Sequence, residues 1–230
     1  NRGEIAVRIA RSAKEMGVEV AALIPPQDVS GPLRELLANS LSVGSNEEAR
    51  EMFLNPGRMV ECANQLGCDA VHPGYGFLSE NPEFADAVQA TGLTWIGPSA
   101  DAIRIMGDKS MARAVAEDAK VPLAPGVCLL PGQLTLSTED LKMIGFPMMI
   151  KAAAGGGGRG MRHVRDAAHL EASIEEARRE SLSSFGDDTL IAESLITDAR
   201  HIEVQILADQ HGDVRALGER ECSIQRRNQK

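Results

Sequence analysis

A lysine followed closely by four consecutive glycines is the part of this sequence that most clearly indicates chemistry. Lys151 comes at the end of an apolar stretch, and glycines occupy positions 155–158, with Arg159, Gly160 and Arg162 close behind. Because glycine has no Cβ atom, successive backbone N–H groups of such a loop can approach an anion closely. A lysine at the end of a buried strand would hold its ammonium group at a fixed place beside that loop. The segment therefore predicts a phosphate-binding loop.

Two known phosphate-binding motifs fit this segment poorly. Gly155, Gly157 and Gly160 satisfy the pattern G-x-G-x-x-G, but the residues that follow predict a short strand where the dinucleotide-binding motif requires a helix. A Walker loop is excluded because Met161 and Arg162 stand where lysine and a hydroxyl residue are needed. The remaining interpretation is a strand–glycine loop–strand hairpin that folds over a nucleotide. The alternative is a flexible linker, although linkers usually carry serine, proline or mixed charge.

Composition narrows the class of protein. The 230 residues suffice for one large domain or two small ones, and the formal net charge of −9 argues against nonspecific nucleic-acid binding. No apolar run approaches the roughly 20 residues that a membrane-spanning helix needs. The four cysteines match no zinc-binding spacing, which favours reduced thiols. Both ends of the sequence are expected to be cuts through a larger protein.

The first hundred residues predict alternating helices and strands. Helices are predicted over 4–16, 56–66 and 82–90, and strands over 18–24, 41–43, 69–71 and 93–96. Short strands separated by helices are typical of an α/β fold with a parallel, doubly wound sheet.

A second region of different organisation follows residue 100. Helices are predicted over 101–106 and 109–119, and the prolines and glycines of 122–132 indicate a hinge-like connection. A compact, lid-sized unit then supplies a strand, the glycine loop, a second strand, a helix over 167–183 and a strand over 189–194. Antiparallel strands are predicted over 200–208 and 213–217, with a turn between them.

The strand over 200–208 has two chemically different faces. Its apolar side chains alternate with an imidazole, a carboxylate and an amide, namely His201, Glu203 and Gln205. The closing segment 219–230 adds four cations and three amides. These features are either an ordinary solvated surface or a set of donors for a second anionic ligand.

Several segments together resemble biotin carboxylase, the ATP-grasp component of acetyl-CoA, propionyl-CoA, methylcrotonyl-CoA, pyruvate and urea carboxylases. They are 1–6 (NRGEIA), 72–81 (HPGYGFLSEN), 96–98 (IGP), 106–109 (MGDK), the lysine–glycine loop and 219–230. The resemblance covers essentially the whole chain, and 72–81 is its most specific segment. It implies an N-terminal fragment with a doubly wound, Rossmann-like pre-ATP-grasp domain over 1–100. A helical linker over 101–126, an ATP-grasp lid over 127–196 and the beginning of the ATP-grasp core over 197–230 would follow.

The resemblance also implies an activity. Members of that family bind Mg-ATP beneath a mobile lid, phosphorylate bicarbonate to carboxyphosphate, and carboxylate biotin on a carrier domain. The implied cofactors are ATP, Mg²⁺ and carried biotin, and the implied partners are a biotin carboxyl carrier, a carboxyltransferase component and a second copy or larger complex. No nucleic acid or membrane is expected, and the cytoplasm or the mitochondrial matrix is the expected location. The final acyl acceptor is not specified.

Site residues follow from the resemblance one position at a time. The residues implied to contact ATP are Lys109, Lys151, Gly156, Gly157, Gly158, Gly160, Met161, Glu193, Leu195, Ile196, His201, Gln225 and Asn228. Lys230, near bicarbonate, and Glu203 are implied to be catalytic, and Tyr75 to lie near the biotin pocket. Magnesium ligands are expected downstream of this segment.

Two positions depart from the family pattern. Asn228 stands where many relatives carry histidine, and Ser194 stands where a lysine is common in bacterial biotin carboxylases. Because the family's magnesium-binding carboxylates and its bicarbonate-binding and biotin-binding arginines lie further along the chain, this segment alone is expected to be inactive. The alternatives are another ATP-grasp ligase of the carbamoyl-phosphate synthase type and a non-catalytic nucleotide-binding or assembly module.

Overall fold

The computed structural model describes residues 2–154 and 161–224. The chain divides into two compact units, Asn1–Arg104 and Ile105–Lys230. Among the described residues, no helix has both the length and the apolar character needed to span a bilayer.

Unit 1 alternates helices with short strands, as the sequence predicts. Its elements are α1 (Gly3–Glu15), β1 (Ala21–Ile24), 3₁₀ turns at Pro26–Asp28 and Arg34–Leu36, β2 (Asn39–Ser42), α2 (Asn46–Leu54), α3 (Pro56–Gln65), β3 (Ala70–Val71), α4 (Pro82–Ala90) and β4 (Thr94–Trp95). The next helix, α5 (Ala100–Gly107), begins in unit 1 and ends in unit 2. Local sequence explains the helix starts. Asn81 caps α4 by accepting a hydrogen bond from the Phe84 N–H, and Pro82 occupies the first helical position.

The strands of unit 1 pair in parallel, but they do not form one sheet. β1 pairs with β2 and β3 with β4, so the described residues contain two separate two-stranded sheets where a single doubly wound sheet was predicted. Residues of β1 and β3, together with α1 and α3, line a cavity of about 560 Å³. Among the described residues, β1 and β3 each pair with one strand only.

Unit 2 contains α6 (Lys109–Asp118), β5 (Gly126–Leu129), α7 (Thr138–Ile144), β6 (Met148–Ala152), β7 (Arg162–Val164), a 3₁₀ turn (Ala167–His169), α8 (Leu170–Phe185), β8 (Leu190–Ser194), β9 (Ile202–Ala208) and β10 (Val214–Glu221). β5, β8, β6 and β7 form an antiparallel sheet in that order. Fully buried side chains of the sheet and α8 form its core: Leu129, Met148, Ile150, Val164, Ile174 and Leu190.

The predicted hinge-like connection over 122–132 is wrong in its centre, where β5 pairs with β8. Gly126 lies in this strand, and the position requires glycine. A Cβ atom there would come within 2.7 Å of the Ala192 carbonyl oxygen and 2.8 Å of the Glu193 Cβ. The glycine thus allows two strands to approach closely, and it does not mark a turn.

β9 and β10 form an antiparallel hairpin with a bulge between Ala216 and Glu219. The predicted apolar face of β9 is solvent-accessible in the described chain, since Ile202, Val204 and Ile206 are each about half exposed.

Candidate nucleotide-binding site

The antiparallel register of β6 and β8 brings Lys151 and Glu193 together. Lys151 lies opposite Ile191, so Glu193, two residues further along β8, is its diagonal neighbour on the same face of the sheet. The Lys151 Nζ forms an ion pair with the Glu193 Oε1, and the two side chains are only 25% and 20% exposed. Two resemblance-based site residues that lie 42 positions apart are therefore in direct contact.

Lys109 lies at the start of α6, against the end of the same strand. Its backbone N–H and its Nζ both donate to the carbonyl oxygen of Ala153, at 3.1 and 3.3 Å. Asp108 caps the helix by accepting from the N–H groups of Ser110 and Met111 at 2.8 and 2.9 Å. The start of α6 is thus joined to the chain just before position 155, where the glycine segment begins.

The surroundings of the Lys109 ammonium group disfavour its positive charge. Burial, and then the neighbouring Lys151 ammonium, lower the pKa of Lys109 from its ordinary value, although Asp108 opposes the change. Burial alone would raise the pKa of Asp108, but hydrogen bonds from Ser110 and Met111, with Lys109 nearby, bring the pKa below its ordinary value. Two ammonium groups at one place, each with part of its hydration removed, suit a polyanionic ligand such as a nucleotide triphosphate.

Arg162 is directed toward α8. Its guanidinium group lies 2.7 Å from the Glu180 carboxylate and 3.5 Å from that of Glu176. The sequence placed this arginine near the phosphate loop but did not predict its carboxylate partners. Met161 precedes it and is half-buried.

The segment after β8 is fixed by internal hydrogen bonds. The Ser194 hydroxyl donates to the Ile144 carbonyl at 2.6 Å, and the Ser194 N–H donates to the Pro125 carbonyl at 2.8 Å. The Leu195 N–H donates to the Pro147 carbonyl at 3.1 Å. Ile196 follows and is 64% exposed. The Ser194 hydroxyl group thus helps to hold the end of β8.

His201 and Glu203 lie near Arg220, one of the four cations of the closing segment, whose pairing with Glu203 the sequence did not predict. The Glu203 carboxylate lies 2.6 Å from the Arg220 guanidinium and 4.0 Å from the His201 ring. Arg220 is opposite Glu203 in the strand register, so the pairing depends on the bulged hairpin. The predicted site residues Gly156, Gly157, Gly158, Gly160, Gln225, Asn228 and Lys230 lie outside the described residues.

Tyr75 lies in unit 1, in the loop after β3. The residue is 60% exposed, and its hydroxyl group donates to the Glu4 carboxylate at 2.6 Å. That hydrogen bond raises the pKa of Tyr75 above its ordinary value.

Comparison with known protein families divides the chain near the same place as its two compact units. Residues 1–103 match the biotin carboxylase N-terminal domain, and residues 108–230 match the carbamoyl-phosphate synthase L chain ATP-binding domain. No residue is shared by the two matches, and together they cover nearly the entire chain.

Individual relatives resemble the chain along its whole length. It is 45% identical to the alpha subunit of mitochondrial methylcrotonoyl-CoA carboxylase from Oryza sativa subsp. japonica, of which it covers 31%. It is 43% identical to the biotin carboxylase of Haemophilus influenzae, of which it covers 51%. The chain therefore spans about half, or less, of the length of these relatives.

Solved structures show the same similarity. A biotin carboxylase–β-γ-ATP complex from Campylobacter jejuni has a TM-score of 0.88 and 40% identity, with 100% of this chain and 51% of that chain covered. The biotin carboxylase domain dimer of Hydrogenobacter thermophilus 2-oxoglutarate carboxylase, in complex with MgADP, ADP and bicarbonate, has a TM-score of 0.86 and 40% identity, with 100% and 50% covered. The chain thus belongs to the family of the carbamoyl-phosphate synthase L chain ATP-binding domain, whose model matches residues 108–230. Its residues 1–103 match the biotin carboxylase N-terminal domain, and biotin carboxylases are among the proteins to which the whole chain is similar.

Proposed function

We propose that this chain is the N-terminal part of a biotin carboxylase within a longer protein. That protein would use ATP to activate bicarbonate as carboxyphosphate and transfer the carboxyl group to biotin on a carrier domain. One observation supports this proposal best. Lys109 and Lys151 both lie beside the end of β6, just before the glycine segment, and Glu193 forms an ion pair with Lys151. Two solved structures to which the chain is similar are complexes with adenine nucleotides, and one of them also contains bicarbonate.

The residues act mainly by placing charge. Phosphoryl transfer needs positive charge spread over the moving phosphoryl group and little covalent chemistry from the protein. In our proposal Lys151 and Lys109 bind phosphate oxygens, and Glu193 keeps the Lys151 side chain in place on the sheet. The glycines 156–158 and Gly160, which lie outside the described residues, remain proposed contacts of the triphosphate. Lys230 and Glu203 remain the proposed catalytic residues, and the segment 193–196 remains the proposed adenine contact.

Magnesium does not fit the described residues. Within 2–154 and 161–224, no group of three or more His, Cys, Asp or Glu side chains converges as a metal site would require. We therefore derive no step through Mg²⁺ from these residues, and we propose that its ligands belong to the remainder of the longer protein.

Two alternatives share the ATP-binding half. A carbamoyl-phosphate synthase type of ligase is suggested by the name of the family that matches residues 108–230. The match of 1–103 to a biotin carboxylase domain, and relatives named as carboxylases, favour biotin as the acceptor. A non-catalytic module would bind ATP without turning it over.

We further propose that the ATP-grasp lid spans residues 127–196. We also propose that the longer protein assembles with a biotin carrier and a carboxyltransferase, and that it is located in the cytoplasm or the mitochondrion.

The decisive experiment measures ATP turnover by the longer protein that contains this chain. We expect ADP release that depends on bicarbonate and rises with free biotin, and no comparable response to ammonia. Lys151→Gln should lower kcat/KM for ATP by about 10²-fold, the usual effect of removing one donor to developing charge. Lys142→Gln is the matched control, because Lys142 is an exposed lysine on α7, and it should change little. Turnover that requires ammonia, or none with any acceptor, would overturn the proposal.

The segment given by residues 1–230 has its own expected result. With ATP and bicarbonate, the segment alone should produce ADP no faster than a control without protein. Bicarbonate-dependent turnover by the segment would show that residues 1–230 suffice for chemistry, contrary to our placement of the magnesium ligands.

A further inference from the structure

The cavity in unit 1 lies against two strands that each have one edge without a strand partner. Among the described residues, β1 pairs only with β2 and β3 only with β4, both in parallel. Residues of β1 and β3 line this cavity of about 560 Å³, together with apolar side chains such as Ile9 of α1 and Met59 of α3. Parallel strands are normally buried members of one continuous sheet. An apolar cavity against two parallel pairs therefore needs an explanation.

The backbone of β1 has hydrogen-bonding groups on the edge that faces away from β2. On the side of β2, the carbonyl oxygens of Val20 and Ile24 accept hydrogen bonds. Backbone groups of successive strand residues alternate between the two edges, so those of Ala21 and Leu23 belong to the other edge. Both residues line the cavity, Leu23 is only 4% exposed, and their N–H groups have no acceptor among the described residues. Since buried N–H groups are nearly always paired, this edge is suited to a further strand.

The edge of β3 has the same arrangement. On the side of β4, the carbonyl oxygens of Asp69 and Val71 accept hydrogen bonds from Thr94 and Ile96. The backbone groups of Ala70 therefore belong to the other edge, and Ala70 also lines the cavity. One strand placed in the cavity would bond to both edges.

Contacts of the first turn of α1 show where such a strand would end. The Gly3 N–H donates to the Asp28 carboxylate at 3.0 Å, just after β1. The Glu4 carboxylate accepts from the Tyr75 hydroxyl at 2.6 Å, in the loop after β3. The carboxyl ends of β1 and β3 thus lie at the same end of unit 1, beside the start of α1. A strand parallel to both would end there and continue directly into α1.

The connection through α1 agrees with the rules of α/β folds. The further strand, α1 and β1 would form a β–α–β unit of adjacent parallel strands. The sheet would have the order β2, β1, further strand, β3, β4. Numbered along the chain with the further strand first, this is 3-2-1-4-5, as in the doubly wound dinucleotide-binding fold. The two separate pairs would then be parts of the single sheet that the sequence predicts.

We infer that the segment preceding residue 1 in the longer protein forms an apolar strand in this cavity, hydrogen-bonded in parallel to β1 and β3. The inference rests on the part of the proposed function that makes this chain a segment of a longer protein. Its side chains are expected to be mainly Val, Ile and Leu, because parallel strands covered on both faces are apolar throughout. A small apolar ligand would also suit a cavity of this volume, but it would leave the edge N–H groups without acceptors.

Hydrogen exchange in the longer protein tests the inference at single amides. Leu23 and Ala70 carry edge N–H groups, whereas Ala22 and Val71, in the same strands, belong to the edges paired with β2 and β4 and are the matched controls. We expect Leu23 and Ala70 to exchange within about tenfold of these controls, because hydrogen-bonded strands of one sheet open as a unit. A larger difference, with Leu23 and Ala70 the faster, would overturn the inference.

Two variants of the longer protein identify the occupant. Deleting the residues before residue 1 should speed exchange at Leu23 and Ala70 more than at their controls, and unchanged protection would overturn the inference. If the deletion prevents folding, Ala21→Pro decides, because proline is tolerated at a free strand edge and not at a paired one. It should lower the Tm as much as Ala22→Pro, and a much smaller shift would overturn the inference. Bicarbonate-dependent ATP turnover by the unmodified longer protein tests the proposed function separately.

Discussion

The buried guanidinium group of Arg178 joins three parts of unit 2, so its removal should lower the stability of that unit. It is 7% exposed and donates to the carbonyl oxygens of Asp188, Leu130 and Gln133, each at 2.5 Å. It also lies 2.8 Å from the Asp188 carboxylate. The side chain thus ties α8 to the chain entering β8, the strand that carries Glu193, and to the segment that follows β5.

Arg178→Met should destabilise unit 2 by about 3 kcal/mol. Removing one partner of a buried ion pair usually costs about 3–5 kcal/mol, because the remaining groups lose their partners without regaining full hydration. We take the lower end because Asp188 is 26% exposed and can be rehydrated, and because the Arg178 Nε is itself buried without a hydrogen-bond acceptor among the described residues. Arg178→Lys keeps the charge but not the planar fork, so about half of the loss is expected.

Urea unfolding of the chain, followed by two signals, tests this value. With an m-value of about 2 kcal/mol/M, 3 kcal/mol corresponds to a midpoint lowered by about 1.5 M in the part of the far-UV circular dichroism transition that tryptophan fluorescence does not follow. The single tryptophan, Trp95, is in unit 1, so its fluorescence should report no comparable change. Arg179→Met is the matched control: Arg179 is adjacent, 71% exposed and 3.9 Å from Glu175, and should contribute below about 0.5 kcal/mol. Equal midpoints for the two variants would refute the reasoning.

Two further predictions concern the candidate site. Gly126→Ala should lower unit 2 stability by about 1–3 kcal/mol and weaken ATP binding, because the new methyl group would lie 2.8 Å from the Glu193 Cβ. Denaturation and calorimetry would measure both effects, and Gly107→Ala, which meets open space, is the control that must stay near wild type. Because burial and Lys151 lower the pKa of Lys109, ATP affinity should start to fall at a lower alkaline pH than an ordinary lysine implies. Lys109→Arg should flatten that pH profile, and a wild-type profile as flat as the variant's would contradict the assignment.

Features that depend on neighbouring residues could be predicted from the sequence. The helix Pro82–Ala90 begins and ends where the sequence placed it, because its Asn81 cap and its Pro82 act locally. Lys151 could be singled out because the glycines are its near neighbours in sequence.

Features that depend on distant residues could not. The sequence predicted a hinge at Gly126, because the strand whose close approach requires a glycine there, β8, lies more than sixty positions away. The contact of Lys151 with Glu193 follows from the register of two strands, and no local pattern encodes it. The same holds for Arg220, whose place opposite Glu203 depends on a bulged hairpin.

The charge balance at α6 and β6 connects the fold to its proposed ligand. Lys109 is held in a place that disfavours its charge: burial and the Lys151 ammonium outweigh the attraction of Asp108, whose carboxylate also caps the helix. A polyanion bound there would reverse the balance, since it adds negative charge beside both lysines. ATP binding and protonation of Lys109 must then be linked, so binding at alkaline pH takes up a proton from solution. The cost of keeping this lysine charged without a ligand is therefore recovered when the nucleotide binds, which makes the site selective for ligands of high negative charge.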